Sequence, residues 1–190
     1  MIGRHEIPDP GLFMFPSHYV TWAELPLELV EEHDRKFAQF NALTEKGELG
    51  HVGNRIRAAD ERSRNACATV LFAALAVEST LNFWGALLLG ADYFKANLER
   101  SNPFQKLAGI VAITTNNLVE ENDDICKALK QVVGPRNKVA HPKAQVYPPG
   151  EFVDLETGPP VETARDSVAG MKKFFELLGA LLPVTIGKNV

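Results

Sequence analysis

ACATVLFAALAVESTLNFWGALLLG, residues 66–90, is the stretch on which the fold turns. It is long and apolar enough to cross a bilayer, which takes about 20 such residues in a helix. Glu78 and Asn82 sit near its middle, one helical turn apart. A carboxylate at the centre of a lipid-exposed helix costs on the order of 3 kcal/mol on insertion scales. The stretch therefore reads as the core helix of an all-α domain, wrapped by other helices, and not as a membrane span.

Upstream, RIRAADERSR at 55–64 alternates charges of both signs, so one helix over 51–90 begins with a solvated half and ends with an apolar half. Val30, Phe37, Phe40 and Leu43 share a side of a helix predicted from Pro26 to Glu45. Residues 1–20, rich in proline and aromatics without sustained periodicity, read as an extended arm on a single helical domain over 21–190. Beyond Gly90, a short element near 92–98 leads to Asn102-Pro103 and a helix over 103–115. Ile125, Leu129, Val132 and Val133 predict a helix over 120–133 that ends at Gly134-Pro135.

From Pro142 to Pro160 the chain holds five prolines and two glycines. QVYPPGEFVDL, turning at Pro148-Pro149-Gly150, predicts a small β-hairpin there. The last helix is predicted over 161–182, with Val161, Ala164, Val168, Met171, Phe175, Leu178 and Leu182 in alternating steps of three and four. That spacing makes a seam against another helix, in this chain or in a twin subunit. The expectation is an all-α bundle of about five helices with one small hairpin in the 142–160 loop.

A net charge of −4 and a pI near 5.8 argue against a general nucleic-acid coat, which needs a surplus of Lys and Arg, so any polyanion site must be local. The two cysteines, Cys67 and Cys126, lie far apart inside apolar helical patterns and read as buried free thiols. The N-terminus lacks a basic start followed by an apolar run, and a cytoplasmic location is expected. His5, His18, His33 and His51 have no metal-ligand spacing, and neither a metal nor another cofactor is expected.

GPRNKVAHPK, residues 134–143, carries the chemistry. Between Lys127 and Gly150 there are five Lys or Arg residues and His141, and no carboxylate. The Gly-Pro pair is expected to end a helix and set Arg136 at the start of a new turn, where free backbone N–H groups favour phosphate. A histidine exchanges protons near neutral pH, and an arginine fork grips two phosphate oxygens. Together they suit attack of an RNA 2′-hydroxyl on its own phosphate without a metal. In a regular helix Asn137 and His141 would share a face, whereas Arg136 and His141 would stand about 140° apart. Asn137 is then the partner that positions His141, and Lys130, Lys138 and Lys143 are the candidate RNA contacts. By spacing alone the motif reads first as a solvated basic loop, because an Arg-to-His gap of this size arises readily by chance among nine arginines and five histidines.

Arg136-Asn137-Lys138-Val139-Ala140-His141, following a helix in an all-α domain whose core helix carries AVESTLN, resembles the HEPN family of helical domains, named for nucleotide binding in higher eukaryotes and prokaryotes. The shared signature is an Arg, a polar residue directly after it, and a His four to six residues on. The resemblance spans roughly residues 25–182. It implies a helical bundle that forms a homodimer with two motifs in one cleft and, in active members, a metal-independent endoribonuclease with Arg136 and His141 catalytic and Asn137 supporting. It also implies toxin–antitoxin, phage-defence or RNA-processing roles and a partner protein such as an antitoxin. Some members carry a modifiable tyrosine two residues after the histidine. Here that position is Lys143.

Glu78 and Asn82 are the candidate supporting residues. A buried carboxylate needs a partner, and the choices are Arg136, where it would steady a phosphate-holding arginine, or Arg62, Arg64 or a backbone group. The alternative to a nuclease is a catalytically silent helical module that binds nucleotide, RNA or a protein through the same basic cleft, or a plain helical interaction protein.

Overall fold

The structure is a computed structural model that describes residues 16–47, 49–140 and 159–182. Within them the chain is all-α: α1 (Pro16–Glu45), a short 3-10 turn (Leu49–His51), α2 (Val52–Leu89), α3 (Ala91–Asn97), α4 (Pro103–Thr115), α5 (Asp124–Ala140) and α6 (Val161–Leu181), with no strand among the described residues. The hairpin expected at 142–160 falls almost wholly outside them, as do residues 1–15 of the expected arm.

α2 is the central element. It packs against every other α-helix of the described bundle. By length and composition it could cross a membrane, but half of its most apolar window is buried against its neighbours. Small residues make that density possible, since Ala66, Ala73, Ala74 and Ala76 are buried on it beside Val70, Val77 and Leu81. Gly85 takes this furthest, because a Cβ there would lie 2.3 Å from the Phe94 ring of α3. One continuous core joins α2 to Ala23 of α1, Leu107 and Ile110 of α4, Leu129 and Val132 of α5, and Met171 and Phe174 of α6.

Two helix starts and one helix end differ from expectation. α1 begins at Pro16, so residues 16–20 are helical instead of extended, and it continues through Pro26. Pro26 forgoes one backbone hydrogen bond, a loss that interior prolines carry at about 3 kcal/mol. Ala23 and Val30 are fully buried on either side of it, with Leu27 packed beside them, and that burial holds the helix together. α5 begins at Asp124 instead of 120 and runs through Gly134-Pro135 to Ala140. Gly134 has no Cβ for the Pro135 ring to strike, which removes the usual obstacle to a helical residue before proline. Asn102 caps α4 through a reciprocal box with Gln105, with Pro103 at the first helical position.

The seam of α6 is Val161, Ala164, Val168, Met171, Phe174, Leu178 and Leu182, all buried, with Phe174 in the place expected for Phe175. It is used inside this chain against α2 and α5. A Cβ at Gly170 would lie 2.9 Å from Gln131 Cβ and 3.1 Å from the Ala128 carbonyl oxygen, so the two helices meet nearly backbone to backbone.

Candidate functional site

The buried stripe of α5, Ile125, Leu129 and Val132, advances by four and then three residues. The next step of four is Arg136. Continuation of the helix past Pro135 therefore turns Arg136 inward toward α2, where an end of the helix at Gly134 would have left it on a turn. The expectation that Arg136 opens a new turn with free backbone N–H groups is corrected on this point.

Arg136 meets Glu78 of α2, with Nη2 3.7 Å from Oε1 and both side chains about one third exposed (33% and 28%). Its Nη1 donates to Oδ1 of Asn137 at 3.0 Å. Of the partners open to Glu78, the structure brings it Arg136. Arg62 instead pairs with Asp34 of α1 at 2.9 Å and lies over the Phe37 ring, and Arg64 pairs with Asp60 and Glu61. Those contacts make RIRAADERSR a paired, partly solvated face against α1.

Asn82, one turn along α2 from Glu78, accepts a hydrogen bond at 2.7 Å from Nζ of Lys106. Lys106 lies on α4 and is only 6% exposed. Burial pushes its amine below the ordinary lysine range, and the negative charges of Glu78 and Glu99 oppose that fall. Sequence reasoning missed this residue. The signal available was its place directly before Leu107 on an amphipathic helix otherwise lined by apolar side chains. Glu78, Asn82, Lys106, Arg136 and Asn137 thus form a polar cluster drawn from α2, α4 and α5.

The basic cluster is less open than its sequence suggests. Lys130 donates to Glu121 at 2.7 Å and Lys127 to Asp124 at 2.9 Å, so acidic residues before the basic run fold back on it. The Lys130 contact holds the Glu121 carboxyl below its ordinary range. Lys138 is exposed on the last turn of α5. His141 follows α5 directly, and His141 and Lys143 lie outside the described residues. Asn137, expected to serve His141, has its side-chain oxygen on Arg136. His51 stacks on Phe40 at 5.8 Å. Among the described residues no group of three or more His, Cys, Asp or Glu is placed to hold a metal ion.

Comparison with protein-family models, curated proteins and solved structures finds no match.

Proposed function

We propose that the chain is a metal-independent endoribonuclease of HEPN-like type whose site is built on the end of α5. One observation carries this: Arg136, the cation of the motif, is steadied by Glu78 at 3.7 Å and by Asn137 at 3.0 Å, with His141 next in the chain after the helix. A tethered guanidinium loses little side-chain freedom when an anion arrives. At 3.7 Å the carboxylate is beyond the 2.7–2.9 Å of a closed charge-assisted hydrogen bond, which leaves guanidinium N–H groups to donate elsewhere.

In this mechanism His141 accepts the proton of an RNA 2′-hydroxyl as that oxygen attacks the adjacent phosphorus. Arg136 stabilises the added negative charge of the phosphorane. The bond from phosphorus to the 5′-oxygen breaks, and that oxygen takes up a proton. The products are a 2′,3′-cyclic phosphate and a 5′-hydroxyl. Exposed Lys138, with Lys143, supplies the backbone contacts expected of RNA. A homodimer that joins two such sites, a cytoplasmic location and an antitoxin-like or defence partner belong to the same proposal.

A catalytically silent module that binds RNA or nucleotide is the second possibility. The pairing of Lys127 and Lys130 with Asp124 and Glu121, which lowers the net positive charge beside the motif, favours it. The two are separated by incubating a mixed structured and single-stranded RNA pool in excess EDTA with wild type and with folded His141→Ala. Cleavage by wild type alone supports the nuclease. No cleavage, or equal cleavage by both, supports the silent module.

A further inference from the structure

We propose that Lys106 is a positioning residue of this site: its buried ammonium draws on the Glu78 carboxylate from α4 and so keeps Arg136 from closing onto that carboxylate. The proposal rests on the assignment of Arg136 as the anion-holding group.

Three observations converge on it. Lys106 is 6% exposed, an uncommon position for a lysine, and its Nζ is fixed at 2.7 Å by Asn82. Asn82 stands one turn from Glu78 on the same helix, which brings the ammonium into the field of the Glu78 carboxylate and, to a lesser degree, of Glu99. The ion pair between Glu78 and Arg136 is long, at 3.7 Å, although neither side chain is confined by full burial. A carboxylate with a single cation in reach normally closes to 2.7–2.9 Å, often on both nitrogens. A carboxylate held between a fixed ammonium and a guanidinium divides its attraction. Loss of the Lys106 charge would release Glu78 onto Arg136 and neutralise the guanidinium just where a phosphate must bind.

Gln and Met at position 106 separate charge from packing. Lys106→Gln keeps a donor for Asn82 without the charge, and Lys106→Met keeps the length of the side chain without either. The Nη–H signals of Arg136, assigned by their loss in Arg136→Lys, are read by NMR in the folded proteins, because Nη2 is the atom that faces Glu78. Their exchange with water is expected to slow by about fivefold in both variants, the upper end of what a closed, partly exposed ion pair contributes. Exchange should recover in Lys106→Gln/Glu78→Gln. Titration with inorganic phosphate should then show weaker binding at Arg136 in Lys106→Gln than in wild type. Unchanged exchange in folded Lys106→Gln overturns the proposal, and so does slowing in Lys106→Met alone, which would make the role one of packing. Absence of any phosphate response in wild type would instead count against Arg136 as an anion site, while the exchange comparison still decides the role of Lys106.

Discussion

Breaking the contact between Glu78 and Arg136 tests whether the motif is tied to the core helix. At 3.7 Å and an effective dielectric near 20, two unit charges attract by about 4.5 kcal/mol. Each side chain keeps roughly a third of its surface in water, so most of that attraction is screened. Exposed pairs contribute about 0.2–1 kcal/mol, and breaking a buried pair costs about 3–5 kcal/mol. A half-buried pair at this distance belongs between them, at about 1–2 kcal/mol of coupling. Urea unfolding of wild type, Glu78→Gln, Arg136→Gln and the double variant isolates that coupling from the separate losses of each side chain. Added salt at 0.5 M should reduce it only partly, because the pair is close and half-shielded. A coupling below about 0.3 kcal/mol, within the usual error of additivity, would refute the ion pair and detach Arg136 from α2. In the nuclease assay Glu78→Ala is expected to lower activity and stability together.

Other parts of the structure give independent tests. Phe174→Ala should cost about 3–5 kcal/mol in urea melts and Phe175→Ala clearly less, since only the former is fully buried; equal losses would mean that the register of α6 is wrong. Gly170→Val should lower stability by about 1–3 kcal/mol by forcing α6 off α5, whereas Gly179→Ala, with open space at its Cβ, should raise it by about 0.5–1 kcal/mol in thermal melts. Asn102→Ala should cost about 1 kcal/mol through loss of the α4 cap. Because burial lowers the pKa of Lys106 in the folded protein, the unfolded chain binds that proton more tightly between the folded value and the ordinary lysine value of 10.5. Wild-type stability should therefore rise relative to Lys106→Met as pH climbs through that window, and a constant difference from pH 7 to 10.5 would show that burial leaves the amine unperturbed.

Much of the bundle was legible in the sequence because apolar periodicity and capping residues are local signals. The break at Gly90, the Asn102-Pro103 start and the step pattern of α6 all bounded helices correctly. The prolines misled. Pro26 and Pro135 carry strong local signals for a boundary, yet each lies where burial on both sides continues a helical stripe. The distinction between Phe174 and Phe175 is one of a single residue on a face that both can reach, and the packing of α6 on α2 and α5 buries Phe174 fully and Phe175 only partly. At the site, a partner for Glu78 could be expected in advance because a carboxylate in an apolar helix demands one, but Arg136, Arg62, Arg64 and the backbone all stayed open, and the packing of α5 on α2 is what selects Arg136. Lys106 could not, because its meeting with Asn82 depends on how α4 crosses α2, and no local pattern encodes that crossing.

The central claim, RNA cleavage by 2′-hydroxyl attack, is tested most directly on one oligonucleotide made in two forms, all-ribose and with 2′-deoxy sugars throughout, in excess EDTA. Wild type is expected to cut only the ribose form and to leave 2′,3′-cyclic phosphate and 5′-hydroxyl ends, with folded His141→Ala inactive on both. Cleavage of the deoxy form, ends of another kind, or no cleavage of either would contradict it.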